Sequence, residues 1–305
     1  MTHVVIASAA RTAVGSFSGS FGNTPAHDLG TTVLEALVSR AQVDKSEVSE
    51  TIMGQVLTAG QGQNPARQAH VNAGLPVESA AWGINQVCGS GLKSVILAYQ
   101  SIKLGDAKKI ISGGQENMSI SPHSIFYRRE KNFSKEKLVD TMLKDGLLDA
   151  FNNYHMGVTA ENVAKKFNIT RDQQDNFALE SQRKTQKAIL NGNFKDELVN
   201  VNYDSIFLDL DEHPRKNLKK SDLEKLKTIF KDNGTVTPGN SSGINDGAAA
   251  LLLTTQKEAD QKKIEPLAKI VSWSSVGIDP SLMGLGPIEA VKIAVKKANW
   301  KLDEV

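Results

Sequence analysis

The 305-residue sequence contains a single cysteine, Cys88. That excludes an intrachain disulfide and any zinc site built from several thiolates, and it fits a reducing compartment. No run of about 18 apolar residues occurs, so nothing is expected to span a bilayer. Charge of one sign is also lacking: 36 Lys and Arg against 34 Asp and Glu leave a net +2. No whole-chain field therefore draws the protein to nucleic acid or to a membrane. The opening residues, Met1 to Ala7, have neither the basic-then-apolar layout of a secretory signal nor the Arg/Ser-rich helix of a transit peptide. The expected location is the cytoplasm. What is present, 40% hydrophobic and 23% charged residues, is ordinary for a globular chain of two domains, or of one domain with a large insertion.

The pattern of residues alternates strand and helix. Residues 3–9 read as a β-branched strand, followed by a Gly/Ser-rich turn from Gly15 to Gly22. Thr24-Pro25 opens a helix, with Thr as cap and Pro first, and Leu29, Val33, Ala36 and Leu37 supply its apolar stripe. A strand is expected from Thr51 to Leu57, and a helix from Asn64-Pro65 to Gly74. Ala80 to Val87 reads as a strand running into Cys88, with a helix from Leu92 to about Gly105 and a strand from Lys109 to Ser112. This alternation predicts a mainly parallel α/β sheet covered on both faces. From about Ser119 to Asn240 charged and amide residues dominate, as in an insertion, with a helix-like stretch over 170–191. Ala248 to Leu253 then reads as a buried strand.

One stretch echoes another. Residues 34–48 and 291–305 share Val38/Val295, Ala41/Ala298, Glu47/Glu304 and Val48/Val305, and each follows a strand-like segment, 3–9 or 267–273. Two amphipathic helices also match at this level by chance. Read as a duplication, the second copy starts near Leu267 and stops after its first helix, which predicts an incomplete second half with an uncovered apolar face.

Cys88 lies in Asn85-Gln86-Val87-Cys88-Gly89-Ser90-Gly91-Leu92-Lys93, at the strand-to-helix junction. A helix start offers unpaired N–H groups and the positive end of the peptide dipoles, both favourable to a thiolate. Gly89 and Gly91 are expected to let the backbone turn tightly and to leave room beside the sulfur. Placement alone fits a nucleophile and an inert buried cysteine equally well. The stretch Gly239 to Gly247 fits both a backbone-rich cradle for a polar ligand and a long structural loop. The basic run Pro214 to Lys220 fits a solvated face better than an anion site, and His155 beside Met156 fits a structural role better than a functional one.

Taken together these segments resemble the thiolase family. The Cys88 segment resembles the family's acyl-accepting stretch, and Gly113-Gly114-Gln115-Glu116-Asn117-Met118-Ser119 the segment after it. Asp145-Gly146-Leu147 and His155 to Asn162 are similar to the loop domain of its short-chain acetyl-CoA acetyltransferases. Gly239 to Ala250 resembles the family's Asn-x-Ser-Gly-x-Asn-Asp-Gly-Ala-Ala signature. Val271-Ser272-Trp273 and Met283 to Pro287 resemble the start of its second half.

The resemblance implies an α/β fold of duplicated βαβ halves forming stacked mixed sheets with helices, with a loop domain inserted in the first half and the second half incomplete. The implied divisions are 1–118 with 241–265 for the first half, 119–240 for the inserted domain of CoA binding and oligomer contacts, and 266–305 for the start of the second half. Two acetyl-CoA would condense to acetoacetyl-CoA, or the reverse, through an acetyl thioester on Cys88, with the Gly89 N–H helping to hold charge at the reacting carbonyl. CoA contacts fall on Leu147, His155, Met156, Arg215, Ser242, Gly243 and Met283. No metal and no cofactor is implied, CoA being substrate and product, and relatives form homotetramers.

A longer-chain 3-ketoacyl-CoA thiolase is the alternative within the fold. An inactive, shortened relative that only binds CoA or pairs with subunits is the alternative outside catalysis. The family's Asn-Glu-Ala-Phe loop, its Gly-His-Pro histidine and its second catalytic cysteine have no counterpart in the 305 residues. Smaller departures occur around Lys225–Phe230, at Pro238, and in the basic stretch 123–137.

Overall fold

A computed structural model describes residues 3–128, 134–201 and 207–305. The part of the basic stretch from Arg129 to Phe133 lies outside the described residues. In chain order the elements are β1 (Val4–Arg11), β2 (Gly15–Ser16), α1 (Ala26–Ala41), β3 (Glu50–Gly54), α2 (Pro65–Asn72), β4 (Ala80–Ile84), α3 (Ser90–Leu104), β5 (Lys109–Asn117) and β6 (His123–Ser124). They continue with β7 (Val139–Asp140), α4 (Met156–Phe167), α5 (Arg171–Leu190), α6 (Lys220–Glu224), β8 (Asn245–Thr255), α7 (Gln256–Lys262), β9 (Ala268–Lys269) and α8 (Gly286–Ala298). They group into two units, Met1–Gly146 with Lys195–His213 and Ile244–Ile270, and Leu147–Phe194 with Pro214–Gly243 and Val271–Val305.

The first unit is built on a seven-stranded sheet in the order β4-β3-β5-β8-β1-β9, with β2 also paired to β8. β3 runs parallel to β4 and β5, whereas β8 runs antiparallel to β5 and to β1. The sheet is therefore mixed rather than mainly parallel. The apolar run in β8 reports burial on both faces, and such a run carries no information about strand direction.

Alternate residues of each central strand feed two separate cores, as the period-two pleat requires. Met53, Ile111 and Leu252 join α1 and α2 on one side, with Leu29, Val33, Leu34 and Leu37. Ile52, Ile110 and Leu253 join α3 on the other, with Ala98 and Ile102. Each fully buried leucine of this kind contributes roughly 1.5–3 kcal/mol relative to exposure.

Local signals set most of the boundaries. Asn64 caps α2 by accepting the Arg67 N–H, with Pro65 in the first turn, and Gly74 closes it at φ +70°. α1 begins one residue later than its sequence suggests: Pro25 is the cap, and the Thr24 hydroxyl is buried without a hydrogen-bond partner among the described residues. The Thr24 carbonyl instead accepts from Asn117 Nδ2 at 2.7 Å.

At the start of β5, buried Lys109 holds Glu47 at 2.9 Å and Glu258 at 3.1 Å, while Lys262 reaches Glu47 at 2.8 Å. Hydrogen bonds from Lys262 and Lys109 hold the Glu47 carboxyl down at about 2. The expected strand over 267–273 is reduced to β9, paired with Val5 and Ile6, and the chain from there to Asp279 forms no ladder with described residues.

The second unit is helical. Thr170 and Gln173 form a capping box at the start of α5. In the first turn of α5, Arg171 bonds Asp175 at 2.7 Å and the carbonyls of Leu223 and Leu226. Glu161 of α4 accepts from the N–H groups of Thr235 and Val236, and Asn162 donates to the Ser281 carbonyl at 3.1 Å. α8 is held by hydroxyls of the extended segment before it, Ser272 to the Ala294 carbonyl and Ser274 to the Ala290 carbonyl, both 2.6 Å. None of its residues is buried: Val291 is 45% exposed, and Ala294, Val295 and Ala298 are half-buried.

Candidate functional site

Cys88 is exposed, in the turn between β4 and α3. The turn is closed by its own polar groups. Gln86 N–H donates to Ser90 Oγ at 2.8 Å, Ser90 Oγ donates to the Val87 carbonyl at 2.6 Å, and Val87 N–H donates to Asn85 Oδ1 at 2.8 Å. The reversal in direction is made by Val87, whose φ is +49°. The glycines expected to make it do not: Gly89 has φ −85°, and a Cβ there would meet only ordinary contact, 3.4 Å from the Gln86 carbonyl oxygen. The Gly89 N–H donates to that same carbonyl at 3.1 Å and so is engaged within the turn.

Glycines elsewhere seat the helix. A Cβ on Gly54, at the end of β3, would lie 2.5 Å from the Gly91 nitrogen and the Ser90 carbonyl carbon. Gly113 of β5 has Ala249 and Ala250 of β8 pressed against the place its Cβ would occupy. Ser94 Oγ of α3 donates to the Gly113 carbonyl at 2.9 Å. The first turn of α3 thus rests backbone to backbone on the end of β3 and the middle of β5, which is how the sheet fixes the height of the Cys88 turn. Nothing near Cys88 in the chain announces Gly54; Ser90 was also missed, although Ser hydroxyls commonly bond nearby backbone groups at helix starts and that signal could have found it.

Beside this turn lies a cavity of about 480 Å³, lined by Met53, Gln55, Asn64, Trp82, Ile84 and Asn85 among others. Gln55 continues into a chain of amides, accepting from Gln115 Nε2 at 3.0 Å and donating to Gln61 Oε1 at 2.8 Å. Glu116 anchors the neighbouring loop by accepting from the N–H groups of Val56 and Leu57. Burial pushes its carboxyl above the usual range, against the pull of those two hydrogen bonds. Asp246 accepts from the N–H groups of Met118 and Ser119, and Asn245 donates to the Gly15 carbonyl at 2.9 Å. These two side chains of the Gly239–Gly247 stretch therefore work inside the fold.

The seven residues implied to contact CoA all belong to the second unit, and Cys88 to the first. Leu147, His155 and Met156 are half-buried; Arg215, Ser242, Gly243 and Met283 are exposed. His155 caps α4: its Nδ1 accepts the Gly157 N–H at 3.0 Å, and its ring stacks on Phe230 with centroids 4.6 Å apart. Burial lowers its pKa, so the ring is a neutral imidazole with its proton on Nε2. Gly157 carries no side chain because the Phe230 ring occupies that space. The Arg215 backbone N–H donates to Gln182 Oε1 at 2.9 Å. Further along the same basic run, Lys220 pairs with Asp172 at 2.6 Å.

Comparison with known proteins gives one consistent result. The pattern of the family described as "Thiolase, N-terminal domain" matches residues 4–257. An acetyl-CoA acetyltransferase of Paracoccus denitrificans is 54% identical over 309 residues, spanning 100% of this chain and 79% of that protein. A cytosolic acetyl-CoA acetyltransferase of Rattus norvegicus is 50% identical over 99% of this chain and 78% of its own length. The crystal structure of the Bacillus anthracis acetyl-CoA acetyltransferase superposes with a TM-score of 0.96 at 35% identity, over 100% of this chain and 78% of that one. Among the described residues no helix is long and apolar enough to cross a membrane.

Proposed function

The chain belongs to the thiolase family, and from that premise we propose that Cys88 carries an acetyl group between two molecules of acetyl-CoA. The enzyme is an acyltransferase of the acetyl-CoA acetyltransferase kind. In the first half-reaction the Cys88 thiolate attacks the thioester carbonyl of acetyl-CoA. The carbon–sulfur bond to CoA breaks, the CoA thiolate leaves and takes up a proton, and acetyl-Cys88 remains. In the second, a base removes a proton from the methyl of another acetyl-CoA. That carbon attacks the acetyl carbonyl, releasing acetoacetyl-CoA and regenerating the Cys88 thiolate. Thiolysis is the same sequence reversed.

One observation carries the assignment: the only cysteine is exposed, at the start of a helix seated on the sheet by Gly54 and Gly113. Its exposure supports that reading over the inert buried thiol that the sequence context left open. The helix start favours negative charge beside it. CoA is substrate and product, and we assign its contacts to Leu147, His155, Met156, Arg215, Ser242, Gly243 and Met283. Arg215 is the cation suited to the nucleotide phosphates, being exposed and anchored through its backbone N–H. His155, neutral and stacked on Phe230, offers a hydrogen bond from Nε2 rather than a charge. A homotetramer in the cytoplasm is part of the same proposal.

The test is acetyl transfer itself. Incubation with acetyl-CoA, followed by intact mass and peptide mapping, should place one acetyl group on the Cys88 peptide and none in Cys88→Ser. A Cys88→Ser protein acetylated to the same extent, or a wild-type protein that takes no acetyl, would refute the assignment. Within these 305 residues Cys88 is the only thiol and no histidine stands in a Gly-His-Pro context. General acid–base assistance is worth about 100- to 10,000-fold per group, so condensation by these residues alone should lag far behind acetyl transfer.

A further inference from the structure

We propose that Ser90, acting through the backbone of Val87, is the positioning residue that aims the Cys88 thiol; this rests on the reading of Cys88 as the acetyl acceptor. The starting point is the φ of +49° at Val87. A β-branched residue in the left-handed region is a genuine outlier, and such outliers persist only where the surroundings over-determine them. The Val87 side chain does not hold it there, being 49% exposed. The hydrogen bonds on both its peptide groups do.

On the amino side, Val87 N–H is taken by Asn85 Oδ1. On the carboxyl side, the Val87 carbonyl accepts from both the hydroxyl and the N–H of Ser90, at 2.6 and 3.1 Å. The same hydroxyl accepts Gln86 N–H, so one oxygen ties the Asn85–Gln86 peptide to the Val87–Cys88 peptide. Ser90 cannot drift: it is 4% exposed and sits against Gly54. If Val87 relaxed to the ordinary region, the peptide joining it to Cys88 would swing round. Both bonds to its carbonyl would break, and the thiol would turn away from the start of α3. Ser90 touches no reacting atom in this account; it sets the direction of the residue that does.

The experiment uses the 305-residue chain, whose single cysteine makes iodoacetamide a reporter of Cys88 alone. Alkylation rates are compared for the parent, Ser90→Ala, Asn85→Ala, Val87→Gly and the two double variants, with the thermal midpoint of each. Glycine occupies positive φ freely, so it removes the need for the clamp. Ser90→Ala and Asn85→Ala should each slow alkylation by about threefold or more, and by less than about twofold when introduced into Val87→Gly, a coupling that general destabilisation does not produce. If Ser90→Ala does not fold, Asn85→Ala carries the same comparison on the exposed side of the turn. Unchanged rates, faster rates, or equal losses in both backgrounds would overturn the proposal. Acetylation by acetyl-CoA is read in parallel. Failure of the parent to take acetyl, with the alkylation pattern intact, strikes the functional assignment and leaves the clamp standing.

Discussion

Replacing Gly54 by alanine tests how the sheet fixes the nucleophile. The added Cβ would stand 2.5 Å from the Gly91 nitrogen and the Ser90 carbonyl carbon, and 2.7 Å from Ser90 Cβ. Ordinary contact at such a place needs about a further 1 Å, and since two of the three atoms are backbone, no rotamer change relieves it. The first turn of α3 must rise off β3. Inserting a methyl into a packed site costs typically about 1–3 kcal/mol, and a backbone clash belongs at the upper end. A shift of about 1 Å at a reacting group commonly costs on the order of 100-fold in rate. Gly54→Ala should therefore lower the urea midpoint and also slow acetylation of Cys88 by acetyl-CoA far more than Gly89→Ala does. The latter puts its Cβ 3.4 Å from the Gln86 carbonyl oxygen and should leave the midpoint nearly unchanged. A Gly54→Ala protein with parental midpoint and parental acetylation rate would refute the seating of α3 described above.

The remaining predictions concern charge. Glu258→Gln leaves buried Lys109 with Glu47 as its anionic partner among the described residues, and should cost about 1.5–3 kcal/mol in urea unfolding, as loss of a hydrogen bond to a charged group does; an unchanged midpoint would show that Glu47 alone suffices. Because the Glu47 carboxyl is held at about 2, below its ordinary 4.5, its contribution is fully present above pH 4.5 and is lost as pH falls from there towards 2. Acid titration of Glu47→Gln should accordingly show a flatter loss of stability in that window, and an identical profile would argue that the pair with Lys262 is screened away. Arg215→Ala should weaken CoA binding and flatten its salt dependence in calorimetry; equal affinity and equal salt slope would remove Arg215 from the site.

The parts of the fold that sequence made legible are those encoded by neighbours in the chain. Asn64-Pro65 and Gly74 bound α2 as composition predicts, and the alanine-leucine run of β8 is a strand as expected, with Ala248, Ala250, Leu252 and Leu253 buried but Ala249 exposed. The passage from strand to helix around Cys88 was legible too, although β4 ends at Ile84, short of the expected Val87. Strand direction was not legible: Leu252 and Leu253 look the same whether β5 and β8 run together or opposed. The tight turn was assigned to Gly89 and Gly91 on composition, whereas it is made by Val87, a residue whose own preference points the other way. Its conformation is imposed by Asn85 and Ser90, and short-range propensity cannot register a constraint of that kind. Gly54 was invisible for a different reason. Its importance arises only when Ser90 and Gly91 are brought onto it, a contact that no local pattern records. The strand over 267–273 was over-read, since apolar residues there describe a tendency and a ladder requires a partner.

β1 and β5 pair with β8 on its two sides and not with each other. β1 ends at Arg11 and β5 at Asn117, while β8 begins only at Asn245. During synthesis at about 5–20 residues per second, β1 therefore waits roughly 10–50 s after emerging before the strand that completes its edge is made. Until then β1 lacks the partner for Val4 and Val5, and β5, paired with β3 on one edge, lacks the partner for Ile110 and Ile111 on the other. The joining of the sheet is a long-range closure, which is entropically late and kinetically slow. The cell must guard two unfinished edges through that interval. Mutations that weaken β8 will show first as a lower yield of folded chain rather than as a lower melting temperature of what has folded.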